Sequence, residues 1–196
     1  MWRKSGKTRR RVCRPQRVKR GGGLAALFKD IYQCKQISFG NYLSFEYLGI
    51  VLKGAPRILL IIYRPPKYSP AFAEDFTELL STITSEFDCF AIAGDFNIHI
   101  DSAENNMAKE IKSVLKTFDL TQHIHGPTHN RGHTLDLLIS KGLNISSIVI
   151  KDVALSDHFC IFFDILISPT IEARSVSVKK RCLNENTSVL FMKAIS

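Results

Sequence analysis

The sequence predicts an α/β (α+β) sandwich built on mixed sheets, and three observations lead there. Apolar runs of strand length outnumber helical segments. The strands come in clusters and do not alternate one by one with helices, which disfavours a purely parallel, doubly wound sheet. Two segments repeat apolar residues every three or four positions, as amphipathic helices do.

The elements follow in order. Residues 1–20 hold ten of the 27 Lys and Arg and none of the 18 Asp and Glu, so the rest of the chain is nearly neutral although the whole carries +9. Such a self-repelling stretch predicts a disordered basic arm, read equally well as a functional arm (a nucleic-acid contact or a nuclear address) or as a solvated tail. Gly21-Gly22-Gly23 is a flexible junction; no Lys-Ser/Thr follows at the spacing of a phosphate-cradling loop. Residues 24–29 and 43–53 read as strands, and Gly54-Ala55-Pro56 as a turn. Residues 57–63 form a continuous apolar run, the mark of a strand buried on both faces, and Pro65-Pro66 ends it.

A helix is expected over about residues 70–87, with Phe72, Phe76, Leu79, Leu80, Ile83 and Phe87 on one face. Residues 88–94 make another buried strand. A second helix spans about 103–118, with Met107, Ile111, Leu115 and Phe118 inward. Residues 120–124 are short and extended, and 126–132 form a loop. Strands at 134–140, 145–153 and 158–167 complete the domain. The expected organisation is a basic arm at 1–20, one folded domain at 21–168 and a polar tail or linker at 169–196.

Composition bounds the rest. Hydrophobic residues make up 45% and charged residues 23%, enough for a packed core. No apolar run reaches membrane-spanning length, and no apolar segment follows the basic start, so the expectation is a nuclear or cytoplasmic protein that is not secreted. The five cysteines are scattered, with no Cys-x-x-Cys pair, and read as reduced thiols.

Four short segments carry the chemistry. Gly94-Asp95-Phe96-Asn97 follows a buried strand, where a carboxylate and an amide two residues apart can point into one cleft; alone, it also reads as a simple turn. Ser156-Asp157-His158 opens another strand and offers a metal ligand beside a phosphate donor; alone, it is an ordinary loop end. Asp136 sits inside the apolar stretch Thr134-Leu135-Asp136-Leu137-Leu138-Ile139, where an ionised carboxylate is costly unless partnered. His158 is the best partner, and such a bond would fix its tautomer and keep it protonated; backbone amides are the alternative. Tyr63 of Tyr63-Arg64-Pro65-Pro66 ends a strand and carries a hydroxyl for a phosphate oxygen, or is a core-edge tyrosine.

Taken in order, Tyr-x-Pro-Pro, Gly-Asp-Phe-Asn, a Leu-Asp strand and Ser-Asp-His resemble the successive motifs of the endonuclease/exonuclease/phosphatase superfamily. Gly21-Gly22-Gly23-Leu24-Ala25, the proline pair, and Pro127-Thr128-His129 followed by Thr134-Leu135-Asp136 are similar to the endonuclease domains of LINE-type non-LTR retrotransposons. The resemblance covers about residues 21–167. It implies a four-layer α/β/β/α sandwich of two mixed sheets, with phosphodiester or phosphomonoester hydrolysis using Mg²⁺ or Mn²⁺ and DNA as the expected partner. By resemblance, Asp95 orients or deprotonates the attacking water, and Asn97 positions that water or the phosphate. His158 donates to a nonbridging oxygen, Asp136 holds its ring, and Tyr63 adds a donor. Asp157 lies beside the metal, and Thr128 and Ser156 assist phosphate binding. Lys180-Arg181-Cys182-Leu183-Asn184 looks like a linker toward a reverse transcriptase.

The sequence departs from that pattern at its start. The family opens with an Asn-bearing strand and a strand with a metal-binding Glu, both ahead of the glycine-rich segment. Residues 1–20 contain neither residue, and Glu46, the first glutamate, lies downstream. The expectation is a domain incomplete at the N-terminus, with an exposed sheet edge and weakened or no activity. Three other readings stand beside it. One is a phosphatase of the same superfamily. Another is an inactive nucleic-acid-binding remnant. The third is a zinc site from His123, His125, His129 and His133, whose spacing matches no closed motif.

Overall fold

The apolar run that predicts a doubly buried strand becomes β5 (Arg57–Tyr63), and the sheet is built outward from it. The structure, a computed structural model, describes residues 10–13, 23–29, 32–52, 57–67 and 69–166. The other elements are β1 (Arg10–Cys13), β2 (Ala26–Lys29), β3 (Cys34–Ile37), β4 (Glu46–Leu52), α1 (Phe72–Glu86), β6 (Cys89–Asp95), α2 (Asn106–Thr117), β7 (Thr121–Gln122), β8 (Asp136–Lys141), β9 (Asn144–Lys151) and β10 (Cys160–Leu166).

Six strands form one sheet in the order β3-β4-β5-β6-β8-β7. Within it β5 and β6 run parallel, whereas β3–β4, β4–β5, β6–β8 and β7–β8 are antiparallel. The parallel pair needs a crossover, and α1 supplies it. The sheet is mixed and the architecture α/β, as the sequence predicts.

One face of this sheet makes the core. Ile58, Leu60 and Ile62 of β5, Phe90 and Ile92 of β6, and Leu137 and Ile139 of β8 meet the apolar stripes of both helices. The stripes contain the predicted inward residues, among them Phe72, Phe76, Leu79, Leu80 and Ile83 of α1 and Met107, Ile111 and Leu115 of α2. The Asn105 side chain caps α2 by accepting from the Ala108 N–H at 3.1 Å. Phe96, at the end of β6, packs edge-on against Phe72 and Phe76 at 6.2 and 5.6 Å between ring centres. Such aromatic pairs fix geometry as well as burying area.

β9 and β10 form a separate antiparallel hairpin whose register shifts between Phe162 and Asp164. β1–β2 and β9–β10 are thus two-stranded sheets apart from the six-stranded one, and both described helices cover the latter. The 126–133 loop ties the hairpin to the sheet: Asn130 N–H donates to Asp157 O at 2.9 Å and Phe159 N–H to Thr128 O at 2.7 Å.

Two strands differ from the sequence reading. Arg10–Cys13 lies within the arm expected to be disordered, yet it pairs antiparallel with β2, because backbone pairing needs no apolar pattern. Residues 1–9 and 14–20 of the arm, and the tail at 169–196, lie outside the described residues. β3 has no apolar alternation to announce it and exists by pairing with β4.

Gly94 is the tightest point of the scaffold. Its φ is +151°, and a Cβ there would lie 1.9 Å from the Ile62 carbonyl oxygen. Only glycine lets β6 lie this close to β5 one residue before Asp95. Gly94→Ala is therefore expected to lose at least about 3 kcal/mol of stability. Urea unfolding measures this, and an unchanged midpoint would contradict the close approach.

Candidate active site

Cross-strand register brings the candidate residues into one row. Glu46 pairs with Tyr63, Tyr63 with Asp95, and Asp95 with Asp136. Residues opposite one another on neighbouring strands share a face, so all four stand on the face away from the helices. Like charges directly opposite each other are destabilising. Asp95 and Asp136 stand in that relation, and both are largely buried.

His158, just before β10, lies between them. Its Nδ1 is 2.8 Å from Asp136 Oδ2, and its Nε2 is 3.9 Å from Asp95 Oδ2. Asp136 accepts from Nδ1–H, which turns Nε2 toward Asp95. Burial works against a charge on this ring. The hydrogen bond to Asp136 and the charges of Asp136, Asp95 and Asp157 outweigh it, holding the imidazole pKa above its ordinary value. Asp95 is pushed up from the usual carboxylate range, chiefly by burial. The Asn97 N–H opposes that shift, Asp136 adds to it, and His158 opposes it.

The turn after β6 builds the other half of the site. Asn97 adopts a left-handed φ of +49°. Its backbone N–H donates to Asp95 Oδ1 at 2.9 Å. Its Nδ2 donates to Asp95 Oδ2 at 2.9 Å and to Arg64 O at 2.7 Å. Both amide hydrogens are thus engaged within the protein.

The loop residues divide. Thr128, expected at the phosphate, is fully buried; its hydroxyl accepts from the N–H groups of Leu135 and Asp136, both at 3.0 Å. It braces the start of β8 because a buried hydroxyl must satisfy nearby amides. Ser156 is exposed, but its hydroxyl donates to His158 O and accepts from His158 N–H, both at 3.1 Å, closing the turn that presents His158. Asp157 is 63% exposed, and its carboxylate is held below its usual range by its own N–H and by His129.

His129 and Arg64 belong to this neighbourhood although nothing in the motif order singles them out. His129 Nε2 lies 3.3 Å from Asp157 Oδ2, and its ring meets His158 edge-on at 5.0 Å. The histidines of the zinc reading diverge: His123 bonds Ser140, His129 bonds Asp157 and His133 bonds Asp101.

Two groups of ligand atoms converge within 4.8 Å: Asp95, Asp136 and His158, and His129, Asp157 and His158. In the second, Arg131 N–H donates to His129 Nδ1 at 3.1 Å, so the neutral ring carries its proton on Nε2 and offers no lone pair there. The carboxylate donors are Asp95 and Asp136 in the first group and Asp157 in the second. Carboxylate oxygens are the ligands that a hard divalent cation keeping several waters takes. Among the described residues no helix is long and apolar enough to cross a membrane.

Residues 58–162 match the sequence profile of a family described as endonuclease-reverse transcriptase. No curated protein matches the chain. Among solved structures, the endonuclease domain of TRAS1, a telomere-specific non-LTR retrotransposon, is similar with a TM-score of 0.61 and 16% identity, covering 81% of this chain and 80% of that one. The human Nocturnin catalytic domain gives 0.55 and 16%, with 80% and 73% covered. An endonuclease/exonuclease/phosphatase family protein from Leptotrichia buccalis gives 0.53 and 17%, with 82% and 72% covered. At these identities the likeness is one of fold.

The Asp136–His158 bond has a direct signature. Because the folded pKa of His158 is raised, the imidazolium contributes stability that is fully present below the unfolded pKa and lost as pH rises through the folded one. In metal-free protein followed by NMR, His158 should titrate above its ordinary value. Asp136→Asn should bring that midpoint down, and an unmoved midpoint would show that Asp136 does not govern the ring.

Proposed function

Because the chain belongs to the endonuclease-reverse transcriptase family, within the endonuclease/exonuclease/phosphatase superfamily, we propose that it is a divalent-metal-dependent phosphodiester hydrolase cutting DNA internally. The observation that carries this reading is the imidazole held between two part-buried carboxylates at the ends of three elements.

Hydrolysis of a phosphodiester adds negative charge to the phosphoryl oxygens and needs an activated water. His158, whose charged form Asp136 favours, donates from Nε2 to a nonbridging oxygen. Asp95 accepts a proton from the attacking water; its raised pKa makes it a better base than an exposed aspartate. Asn97 holds Asp95 through two donors and presents its side-chain oxygen to that water. Tyr63, beside Asp95 on the row, adds a hydroxyl donor. Asp95 and Asp136, or Asp157 beside them across His158, would hold Mg²⁺ or Mn²⁺, which when bound would supply Lewis-acid stabilisation of the phosphoryl charge. Thr128 and Ser156 act on the substrate indirectly, by fixing Asp136 and His158. The resemblance places a further metal-binding glutamate ahead of the glycine-rich segment. The described site offers three aspartates and, on its row, only Glu46 of β4, so residues 1–196 by themselves should turn over slowly.

Supercoiled plasmid with Mg²⁺ or Mn²⁺ tests the chemistry. The chain should nick it slowly, chelation should stop it, and Asp95→Ala or His158→Ala should each lower the rate by at least about 10²-fold. Nicking that survives in His158→Ala sinks the assignment, and preferential cleavage of phosphoinositides points to a phosphatase instead.

The basic arm favours DNA as partner independently of cleavage. Arg3, Lys4, Lys7 and Arg9 precede β1, so removing residues 1–9 leaves that strand in place. For every DNA phosphate that the arm neutralises, its removal should flatten the log–log salt dependence of binding by about 0.9. An unchanged slope in a fluorescence titration would remove the arm from the interface.

A further inference from the structure

We propose that Arg64 is a positioning residue for hydrolysis: its buried guanidinium clamps the Asp95–Asn97 turn so that Asn97 holds the Asp95 carboxylate. The inference rests on the assignment of Asp95 and Asn97 to the chemistry. Arg64 follows β5 directly, and the chain alternates there. Tyr63 stands on the site's row, whereas the Arg64 guanidinium lies on the helix side, 5.0 Å from the centre of the Phe72 ring. Arg64 is only 3% exposed. A guanidinium stays charged at every ordinary pH, so burying it is costly unless it is closely satisfied.

Part of that satisfaction comes from the turn after β6. Arg64 Nη1 donates to Phe96 O at 3.2 Å and to Asn97 O at 3.1 Å. Its backbone N–H donates to Asp95 O at 2.8 Å. Its carbonyl accepts from Asn97 Nδ2 at 2.7 Å. One residue thus touches Asp95, Phe96 and Asn97 at four points. Two successive carbonyls turn inward toward one cation, with Asn97 left-handed between them and solvent. If the cation is removed, those carbonyls face the core without that donor, and the turn is no longer held in the form that aims both Asn97 donors at Asp95. The Phe72 ring supports the planar guanidinium in a way that a flexible, strongly hydrated ammonium does not reproduce.

Arg64→Lys and the apolar Arg64→Met separate clamping from folding. In both, kcat for plasmid nicking should fall by about 10- to 100-fold with KM unchanged, because the groups that meet the substrate are intact and a small displacement of the base suffices. The Met variant should be the more affected. In metal-free protein, the Asn97 side-chain amide protons should exchange slowly in the wild type and faster in Arg64→Lys, while amides of β5 and β6 stay protected. Unchanged kcat together with unchanged Asn97 exchange in Arg64→Lys overturns the proposal. So does a loss of protection throughout β5 and β6, which marks a role in folding alone. If the wild type does not cleave, the hydrolase reading fails, yet Asn97 exchange still decides whether Arg64 holds the turn. If neither variant folds, rapid exchange of the wild-type Asn97 amide is sufficient to reject the clamp.

Discussion

Two aspartates facing each other across neighbouring strands are the constraint around which this molecule is arranged. Asp95 and Asp136 occupy paired positions on β6 and β8, and both are mostly withdrawn from water. Water does not screen them as it would surface charges. A row of this kind persists only when opposite charge and fixed donors reach it. His158 brings the charge, bonding Asp136 and facing Asp95. Asn97 brings two N–H donors to Asp95. The groups that make the pair tolerable are the same groups that a phosphoryl reaction needs.

Supplying them determines much of the surrounding structure. His158 arrives from a separate hairpin, so that hairpin must be fixed to the main sheet near the row. The 126–133 loop does this through backbone bonds on both sides of His158, from Asn130 to Asp157 and from Phe159 to Thr128. Thr128 then turns inward to hold the amides of Leu135 and Asp136, joining the loop to the strand that carries the second aspartate. On the other side, Gly94 lets β6 lie against β5 where the strand ends. Phe96, the residue after Asp95, packs into the aromatic cluster under α1. The turn is anchored in the core, and this is why a loop position holds a carboxylate as firmly as a strand position does.

What the sequence showed follows from the range of the forces involved. β5, α1, β6 and α2 were legible because burial imprints a period on neighbouring residues. The Asp136–His158 pairing was legible because an aspartate in an apolar strand demands a partner, and few candidates existed. β3 was not legible: Cys34–Ile37 carries no apolar rhythm and depends on the β4 backbone. For the same reason Arg10–Cys13 read as part of an unstructured arm. Thr128 and Ser156 are expected near the phosphate from their motifs, and the sequence does not show that their hydroxyls also bond the backbone of Asp136 and His158. Arg64 stood within a motif without a role of its own, since an arginine after a strand is most often exposed.

The row also explains why stability and chemistry pull against each other here. Burial raises the pKa of Asp95, so its ionised form, the one that accepts a proton, is disfavoured by the fold that holds it. Replacing the row with apolar residues would relieve that penalty and remove the group proposed as the base. His158 relieves part of it internally. A divalent cation bound at the same carboxylates acts in the same direction, stabilising the folded state in proportion to its differential affinity for that state. Charge repulsion along the row would therefore favour a cation there, and it weakens as soon as either aspartate loses its charge.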